Sequence, residues 1–181
     1  VLDAVARHAE TLRIAPGLDP EARIGPLISQ SHLERVLGYV ALGRAEGAHI
    51  VTGGERPGGA LAGGYFMRPT ILTNVAEASA LTRDEIFGPV LVAFPFDTEE
   101  EALARANALP FGLAAGVWTN DLARAHRMAG TLRAGVVWIN TYDWFDPAVP
   151  FGGMGQSGQG RELGRQVLDH YTELKSVWVK L

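Results

Sequence analysis

Cysteine is absent from this chain of 181 residues. The absence excludes disulfide bonds and thiolate metal sites, and it is typical of chains that function in the reducing cytoplasm. It also means that these residues contain no thiolate nucleophile. The sequence therefore predicts a cytoplasmic chain, and chemistry that needs a thiolate must draw on residues outside it.

Long apolar runs, basic clusters and metal-ligand spacings are absent as well. No stretch of about 18 apolar residues could span a bilayer, and no basic segment followed by an apolar one marks a signal peptide. The net charge of −4 and the scattered Lys and Arg residues give no nucleic-acid footprint. We therefore expect no membrane or nucleic-acid partner. We also expect no metal, because the histidines are scattered, at His8, His32, His49, His126 and His170.

What is present is an ordinary globular composition, with 47% apolar and 20% charged residues. The 22 glycines lie mostly at turns, which suits one domain of many short elements. No capping residue precedes Val1, although helical spacing begins at once. The apolar positions of that helix are Leu2, Val5, Ala6, Ala9 and Leu12. The sequence therefore predicts a chain that begins inside an element, as a cut piece of a longer protein would.

The first half of the chain predicts helices and short strands around a loop. Ser31-x-x-Glu34 is a capping box that predicts a helix ending near Gly47. A strand is expected over residues 49–52, followed by an exposed, glycine-rich loop. A second strand is expected over residues 70–75, where the preceding Pro69 favours an edge position in the sheet.

The second half predicts a parallel sheet. Residues 90–94 form a continuous apolar run, typical of a strand that is covered on both faces. Thr98-x-x-Glu101 predicts the next helix, and Asn120 is expected to cap another. Further strands are expected over residues 113–118 and 136–139. Two successive strand–helix–strand units indicate an α/β fold with a parallel sheet and right-handed crossovers.

The chain is expected to close with a loop from Asn140 to Gly160, a short helix over residues 161–169 and a last strand. That strand, residues 174–181, alternates apolar and polar side chains. An exposed strand of this kind favours aggregation, whereas a partner subunit would bury it. The alternation therefore predicts an association surface.

Glu85 and Phe87 lie just before a predicted buried strand, where they would meet a ligand if the turn faces the crevice of the sheet. Glu85 could accept hydrogen bonds from the vicinal hydroxyls of a ribose, and Phe87 could lie against a flat ring. The alternative is that Glu85 pairs with Arg83 on the surface and that Phe87 lies in the core. Residue types alone favour this alternative.

Two further segments carry candidate residues. Residues 140–153 follow a predicted strand and contain aromatic side chains that could either line a pocket or cover the core. These residues are Tyr142, Trp144, Phe145 and Phe151. Residues 157–162 are glycine-rich but lack the preceding strand of a phosphate-binding fingerprint. Glu162, at a predicted helix start, could simply complement the helix dipole.

Several motifs occur together, in a fixed order, along nearly the whole chain. They are Gly25-Pro26, Gly64-Tyr65-Phe66, Glu85-Ile86-Phe87-Gly88-Pro89, Phe111-Gly112-Leu113, Pro150-Phe151-Gly152-Gly153 and Thr172-Glu173-Leu174-Lys175. In this order they resemble the C-terminal part of the catalytic domain of an NAD(P)-dependent aldehyde dehydrogenase. The resemblance implies that the family's cysteine nucleophile, glutamate general base and dinucleotide-binding domain precede these residues.

The resemblance implies a role for each candidate residue. It places Glu85 on the nicotinamide ribose and Phe87 beside the nicotinamide ring, which reverses the preference for the surface-and-core alternative. It places Asp143, Trp144, Phe145 and Phe151 on the aldehyde side, and it makes Glu162 an auxiliary, proton-relaying residue. Position 155 is glycine, where many family members carry a lysine.

The resemblance also implies the reaction and the assembly. Residues 1–170 would be a portion of the catalytic domain and residues 171–181 an oligomerisation strand, in a homodimer or homotetramer. With NAD or NADP, the intact enzyme would oxidise an aldehyde to a carboxylic acid through a cysteine thioester. The 181-residue chain alone is then expected to be inactive. We favour an apolar or aromatic aldehyde, although Trp144, Phe145 and Phe151 could instead cage a quaternary ammonium group.

Two other classes of function remain open at this point. The absent cysteine is consistent with a stand-alone binding or assembly module that keeps the fold without catalysis. It is also consistent with a degenerate paralogue that regulates an intact enzyme.

Overall fold

Turns rich in glycine and proline separate short helices and strands in the computed structural model, which describes all 181 residues. The helices are α1 (Leu2–Thr11), α2 (Gln30–Ala45), α3 (Ala80–Arg83), α4 (Glu99–Ala106), α5 (Leu122–Thr131) and α6 (Leu168–Tyr171). The strands are β1 (His49–Thr52), β2 (Thr70–Thr73), β3 (Val90–Val92), β4 (Phe111–Gly112), β5 (Ala114–Val117), β6 (Val136–Ile139) and β7 (Met154–Gly155). The sequence showed no internal boundary, whereas the structure groups the chain into two units, Val1–Pro95 and Phe96–Leu181.

The first unit contains a three-stranded sheet in the order β1–β2–β3. Strand β2 is antiparallel to β1 and parallel to β3, with Thr70 opposite Val90. Because β2 is the central strand, the predicted edge position was wrong. Pro69 lies just outside the strand, so its missing N–H removes no bond from the ladder. The first backbone bond of β2 is instead Thr70 N–H to the carbonyl of Pro89, at 2.8 Å.

Helix α2 supplies most of the core of the first unit. One face of the helix is fully buried, and its members are Leu33, Val36 and Val40. This face packs against Met67 and Ile86, and Ile86 belongs to the segment that leads into β3. The core therefore holds the residues just before β3 close to α2.

Two of the predicted helix caps fall at different residues in the structure. Ser29, not Ser31, caps α2, and Asp121, not Asn120, caps α5. Both observed caps have extended backbones and side-chain oxygens that accept an N–H of the first turn, which is the geometry of an N-cap. The predicted cap of α4 is confirmed, because the Thr98 hydroxyl accepts the N–H of Glu101 at 3.2 Å.

The second unit contains one of the two predicted strand–helix–strand units. Strands β5 and β6 are parallel, with Ala114 opposite Val136, and α5 connects them. Strand β3, however, pairs only with β2, so β3 and β5 do not share a sheet. Leu91 in β3 is 47% exposed, so the expectation of a strand covered on both faces was wrong for this chain. The α/β prediction is confirmed as a mixed architecture that includes parallel strands.

The closing residues contain less regular structure than the sequence predicted. Strand β7 interrupts the predicted loop and pairs with β4. A 3₁₀ turn at Arg165–Val167 and the short α6 replace the predicted helix over residues 161–169. Residues 172–181 form neither helix nor strand, and their apolar side chains are exposed, Trp178 at 95%. The predicted last strand is therefore absent from the single chain, and its role in association stays a prediction.

No helix is long and apolar enough to cross a membrane.

Candidate functional site

The segment from Asp84 to Pro89, in the first unit, is held by side chains of helix α2. Three side chains, spaced three and four residues apart on one face of the helix, each bind a different residue of the segment. The pairs are Tyr39 Oη to Asp84 Oδ2 at 2.9 Å, Arg35 Nη2 to Ile86 O at 2.6 Å, and His32 Nε2 to Phe87 O at 2.7 Å. We call these three side chains the α2 clamp. Because two of the bonds end on carbonyl oxygens, the clamp fixes mainly the backbone. The His32 ring also lies beside the Phe87 ring, with centroids 6.2 Å apart.

Phe87 projects from this fixed backbone. Its φ is +56°, a left-handed conformation that is uncommon for an aromatic residue. Its ring is 70% exposed, so the alternative that Phe87 lies in the core was wrong for this chain. Gly88 follows, and a Cβ there would lie 2.7 and 2.8 Å from the two methyl groups of Val36. A glycine is therefore required for the backbone to approach α2 closely enough to turn the ring outward.

Glu85 contributes only its backbone to the protein's own contacts. Its carbonyl oxygen accepts a long hydrogen bond, at 3.4 Å, from Arg35 Nη1. Its side chain is exposed and pairs with no residue. Arg83, the surface partner considered from the sequence, instead donates to the carbonyl of Glu77 at 3.3 Å. The Glu85 carboxylate is therefore available to accept hydrogen bonds from a ligand.

The α2 clamp also changes the acidity of its tyrosine. The Tyr39 hydroxyl donates to the Asp84 carboxylate, and this bond stabilises the protonated phenol, which raises the pKa of Tyr39. Partial burial and the negative charge of Asp84 act in the same direction, whereas Arg35 opposes them. At neutral pH the hydroxyl therefore stays a donor to the residue next to Glu85.

In the second unit, five aromatic rings contact one another in a chain. We call them the aromatic chain. Its successive pairs are Trp118–Tyr142 with centroids 6.3 Å apart, Tyr142–Trp138 at 4.8 Å, Trp138–Phe145 at 5.7 Å and Phe145–Phe151 at 5.1 Å. The last two pairs meet edge to face, an arrangement that the ring quadrupoles favour. The rings of the loop after β6 therefore pack on one another and on two tryptophans outside the loop, Trp118 and Trp138.

Two polar anchors fix the same loop. Asn140, with φ +55°, donates from its side chain to the carbonyl of Thr119 and accepts the N–H of Thr119, both at 2.9 Å. The second anchor, four residues after Asn140, is at Trp144, whose carbonyl oxygen accepts the indole N–H of Trp138 at 2.8 Å. Asp143, between these anchors, also has a left-handed backbone, with φ +58°. The anchors therefore hold a tight turn directly after the parallel strand β6.

The structure brings together some of the predicted substrate residues but not all. Phe145 and Phe151 contact each other in the aromatic chain. Trp144 is 74% exposed and Asp143 is exposed as well. Neither side chain is part of the aromatic chain. Tyr142, which was less certain from the sequence, contacts two tryptophans. Trp138 connects Tyr142 to Phe145, and sequence reasoning missed it because its position inside a strand suggested ordinary core.

Glu162 lies beside Phe151. The two residues exchange two backbone hydrogen bonds, each of 2.7 Å, in an antiparallel bridge. Both border an open pocket of about 570 Å³, together with Ser157, His170 and Tyr171. The prediction that Glu162 begins a helix was wrong, because the next helical turn starts only at Arg165. A role in complementing a helix dipole is therefore excluded.

Arg161 and His170 complete this pocket and were not predicted. Arg161 Nη1 donates to the carbonyls of Gly153 and Gly160 at 2.9 and 2.6 Å. These two bonds join the two ends of the segment 153–160. His170 Nε2 accepts the N–H of Arg161 at 3.2 Å. A single arginine after a run of glycines was the available signal, since such a loop needs an external anchor.

Gly155 has φ +58°, and a Cβ at this position would collide with the carbonyl of Pro110. A glycine here therefore has a structural reason in this chain, and no charge is present at this point.

No group of three or more His, Asp or Glu side chains is arranged to bind a metal ion.

Comparison with known proteins gives one consistent result. The model of the aldehyde dehydrogenase family matches residues 1–177. DhaS of Bacillus subtilis strain 168, provisionally named an aldehyde dehydrogenase, is 51% identical over 181 residues. A betaine aldehyde dehydrogenase of Cereibacter sphaeroides is 49% identical over 178 residues, 98% of this chain. The chain therefore belongs to the aldehyde dehydrogenase family.

Solved structures agree with this assignment. The NAD+ complex of an aldehyde dehydrogenase from Bacillus cereus superposes with a TM-score of 0.93 and 47% sequence identity, and the match covers 99% of this chain. It covers only 36% of that protein, and the curated relatives named above are likewise matched over 36% of their length.

Proposed function

We propose that this chain is the C-terminal portion of the catalytic domain of an NAD(P)-dependent aldehyde dehydrogenase. The observation that carries the proposal is the way in which residues 84–89 are held. Their backbone is tied to helix α2, while the Glu85 carboxylate pairs with no residue and the Phe87 ring is 70% exposed, with the His32 ring beside it. A segment built in this way is suited to binding a ligand that carries both hydroxyl groups and a flat ring.

NAD or NADP fits this segment. The Glu85 carboxylate accepts hydrogen bonds from the two ribose hydroxyls, and the exposed Phe87 ring lies against the nicotinamide. When bound, the cofactor takes up the hydride that the substrate loses. The α2 clamp fixes the position of Glu85 relative to Phe87, because it binds the residues on both sides of Glu85. The NAD+ complex of the Bacillus cereus relative supports this choice of cofactor.

The loop after β6 faces the aldehyde. Phe145 and Phe151 present apolar ring surface, and Trp144 and Asp143 extend from the same loop into solvent. Glu162, fixed beside Phe151, is an auxiliary residue that relays protons to and from water. The substrate is an apolar or aromatic aldehyde, because two of the four residues offer only hydrocarbon.

A quaternary ammonium aldehyde is the second candidate substrate. The exposed ring of Trp144 could attract a cation, and the Cereibacter sphaeroides relative is a betaine aldehyde dehydrogenase. Turnover of betaine aldehyde, benzaldehyde and hexanal by the intact enzyme separates the candidates. A marked preference for betaine aldehyde would contradict our choice.

The nucleophile lies outside these 181 residues. A cysteine thiolate adds to the aldehyde carbon, hydride leaves to the nicotinamide, and water hydrolyses the resulting thioester to the carboxylic acid. Because the chain contains no cysteine, it is inactive alone. The direct test compares reduction of NAD+ and NADP+ by the purified chain and by the polypeptide encoded by its complete reading frame.

Each alternative predicts a different result in this test. Turnover by the longer polypeptide alone supports our proposal, and turnover by the 181-residue chain contradicts it. If the longer polypeptide is also inactive, its effect on an active homologous enzyme distinguishes a degenerate regulator from a stand-alone binding module.

The last residues form an association surface in a homodimer or homotetramer. Leu174, Val177 and Trp178 are exposed at 106%, 73% and 95% of their reference areas, which is an unusual density of apolar surface for a free tail. Pairing with a partner strand would satisfy the backbone of residues 172–181 and bury these side chains. We expect deletion of residues 175–181 from the intact enzyme to yield monomers or aggregates by light scattering. An active dimer after the deletion would show that the tail is not the association surface.

A further inference from the structure

We propose that Trp138 is a positioning residue that sets the aldehyde selectivity of the loop after β6. The inference rests on the proposed function, because it assigns Trp138 to the selectivity of that reaction. Trp138 itself does not face the substrate, since it lies in strand β6 and is only 8% exposed. It acts through the residues that it holds.

The first contact is polar. The indole N–H of Trp138 donates to the carbonyl oxygen of Trp144, six positions further along the chain, at 2.8 Å. A buried indole N–H needs such a partner, and here the partner is the backbone of a substrate-side residue. The bond therefore fixes where the loop turns back towards the strand.

The second set of contacts is made by the ring. Trp138 contacts Tyr142 with centroids 4.8 Å apart and an interplanar angle of 56°, and it meets Phe145 edge to face at 5.7 Å and 88°. Phe145 in turn meets Phe151 edge to face. Rotation or displacement of the indole therefore moves both phenylalanines that line the aldehyde side.

The backbone of the turn explains why the polar contact matters. Asn140 and Asp143 both have positive φ, which L-residues rarely adopt. The side chain of Asn140 is anchored to Thr119, whereas the side chain of Asp143 makes no hydrogen bond within the protein. The Trp138–Trp144 bond is therefore the nearest hydrogen bond to the left-handed conformation at Asp143. Without the indole N–H, residues 143–145 lose their defined position.

The experiment uses the intact enzyme with Trp138→Phe, which keeps an aromatic ring but removes the N–H. We expect kcat with acetaldehyde and the KM for NAD+ to stay within about twofold, since neither depends on the positions of Phe145 and Phe151. The KM for benzaldehyde and hexanal should rise about tenfold, the cost of one hydrogen bond that orders the loop after β6. The aldehyde preference should therefore flatten.

Trp118→Phe is the matched control. Trp118 belongs to the same aromatic chain but is 63% exposed, and its indole donates no hydrogen bond within the protein. Its replacement should leave the aldehyde preference within about twofold of wild type. If Trp118→Phe flattens the preference as much as Trp138→Phe, ring contact alone explains the effect and the proposal is wrong.

Incorporation of β-(3-benzothienyl)alanine at position 138 provides a second variant if Trp138→Phe does not fold. This residue has the shape of tryptophan with sulfur in place of the N–H, so it removes the bond alone. Flattened selectivity supports the proposal, whereas unchanged selectivity, or a uniform loss with every aldehyde, overturns it. A wild-type enzyme that oxidises no aldehyde would instead contradict the proposed function, and that result is visible before any variant is made.

Discussion

The segment at 84–89 and the loop at 140–151 are held in opposite ways. In the first, polar side chains of helix α2 bind the backbone, the Glu85 carboxylate has no partner, and the mostly exposed Phe87 ring meets the ring of His32. In the second, the rings of the loop pack on one another and on Trp138. The first arrangement fixes a backbone in order to free its side chains. The second uses the side chains both to build the loop and to meet a ligand.

This difference determines how substitutions should behave. Glu85 takes part in no internal contact through its carboxylate, so its replacement should affect only the ligand. Phe145 contacts rings on both sides, so its replacement should also disturb Trp138 and Phe151. A substitution of a side chain at 84–89 should therefore affect ligand binding without disturbing other residues, whereas a substitution at 140–151 should also disturb neighbouring rings.

Glu85→Gln gives the largest expected effect. The substitution keeps the size of the side chain but removes the charge that strengthens its bonds to the ribose hydroxyls. Loss of one charge-assisted hydrogen bond, about 1.5–3 kcal/mol, should slow hydride transfer by about ten- to hundredfold. Pre-steady-state NADH formation measures this rate, and the loss should be the same for every aldehyde.

Glu55→Gln is the control for this prediction. Glu55 lies in the same unit, and its side chain is 69% exposed and makes a 3.6 Å ion pair with Arg68. It should leave the rate unchanged. If Glu85→Gln stays within twofold of wild type, Glu85 is not the ribose ligand and residues 84–89 lose their proposed role.

Gly88→Ala tests the backbone side of the comparison. The added Cβ would lie 2.7 and 2.8 Å from the methyl groups of Val36, which is fully buried and cannot move freely. We expect a loss of about 1–3 kcal/mol in the free energy of unfolding, measured by urea denaturation of the intact enzyme. Gly58→Ala, where a Cβ meets no atom within 4 Å, should be nearly neutral.

The double variant Gly88→Ala with Val36→Ala sharpens this test. Its loss of stability should be smaller than the sum of the two single losses, because the second substitution removes the collision. Additive losses would mean that Gly88 is required for another reason.

The sequence predicted the fold best where local signals decide it. Strands β1 and β6 were predicted with the observed bounds, and the capping box at Thr98 was confirmed. The caps at Ser31 and Asn120 were misplaced because a nearby polar residue, Ser29 or Asp121, could also cap. The central position of β2 depends on pairing with β1 and β3, which no local pattern shows.

Some candidate site residues could be predicted from local sequence motifs, and others could not. Glu85, Phe87 and Phe151 could be predicted because each lies within a short contiguous sequence motif of the family. Trp138 and the α2 clamp could not be found, since their importance lies in contacts with residues that are distant in the chain. His32, for example, binds a carbonyl 55 residues away.

Phe145→Leu tests the ring-packed side of the comparison. Leucine keeps the apolar surface but loses two edge-to-face contacts, each worth about 0.5–1.5 kcal/mol. We expect a smaller effect than at Glu85, seen as a change in the ranking of aldehydes by kcat/KM with the KM for NAD+ unchanged. Phe96→Leu, at an exposed phenylalanine without a ring partner, is the control. An equal loss for all aldehydes would place Phe145 on the cofactor side instead.

Tyr39→Phe gives the smallest expected effect and tests one bond of the α2 clamp. The Tyr39 hydroxyl donates to Asp84, and this bond raises the pKa of Tyr39 in the folded chain. Its contribution to stability is therefore fully present below the pKa of free tyrosine, about 10, and is lost as the pH rises through the higher folded value.

We expect Tyr39→Phe to lower the free energy of unfolding at pH 7 by at most about 1 kcal/mol, since water can replace a hydrogen bond near the surface. The difference from wild type should shrink above about pH 10, where the tyrosine of the unfolded chain begins to ionise. Tyr65→Phe, at a tyrosine that is 39% exposed in the same unit, is the control and should leave the free energy of unfolding at pH 7 unchanged. A difference that persists unchanged at pH 11 would mean that the ring of Tyr39, and not its bond to Asp84, stabilises the α2 clamp.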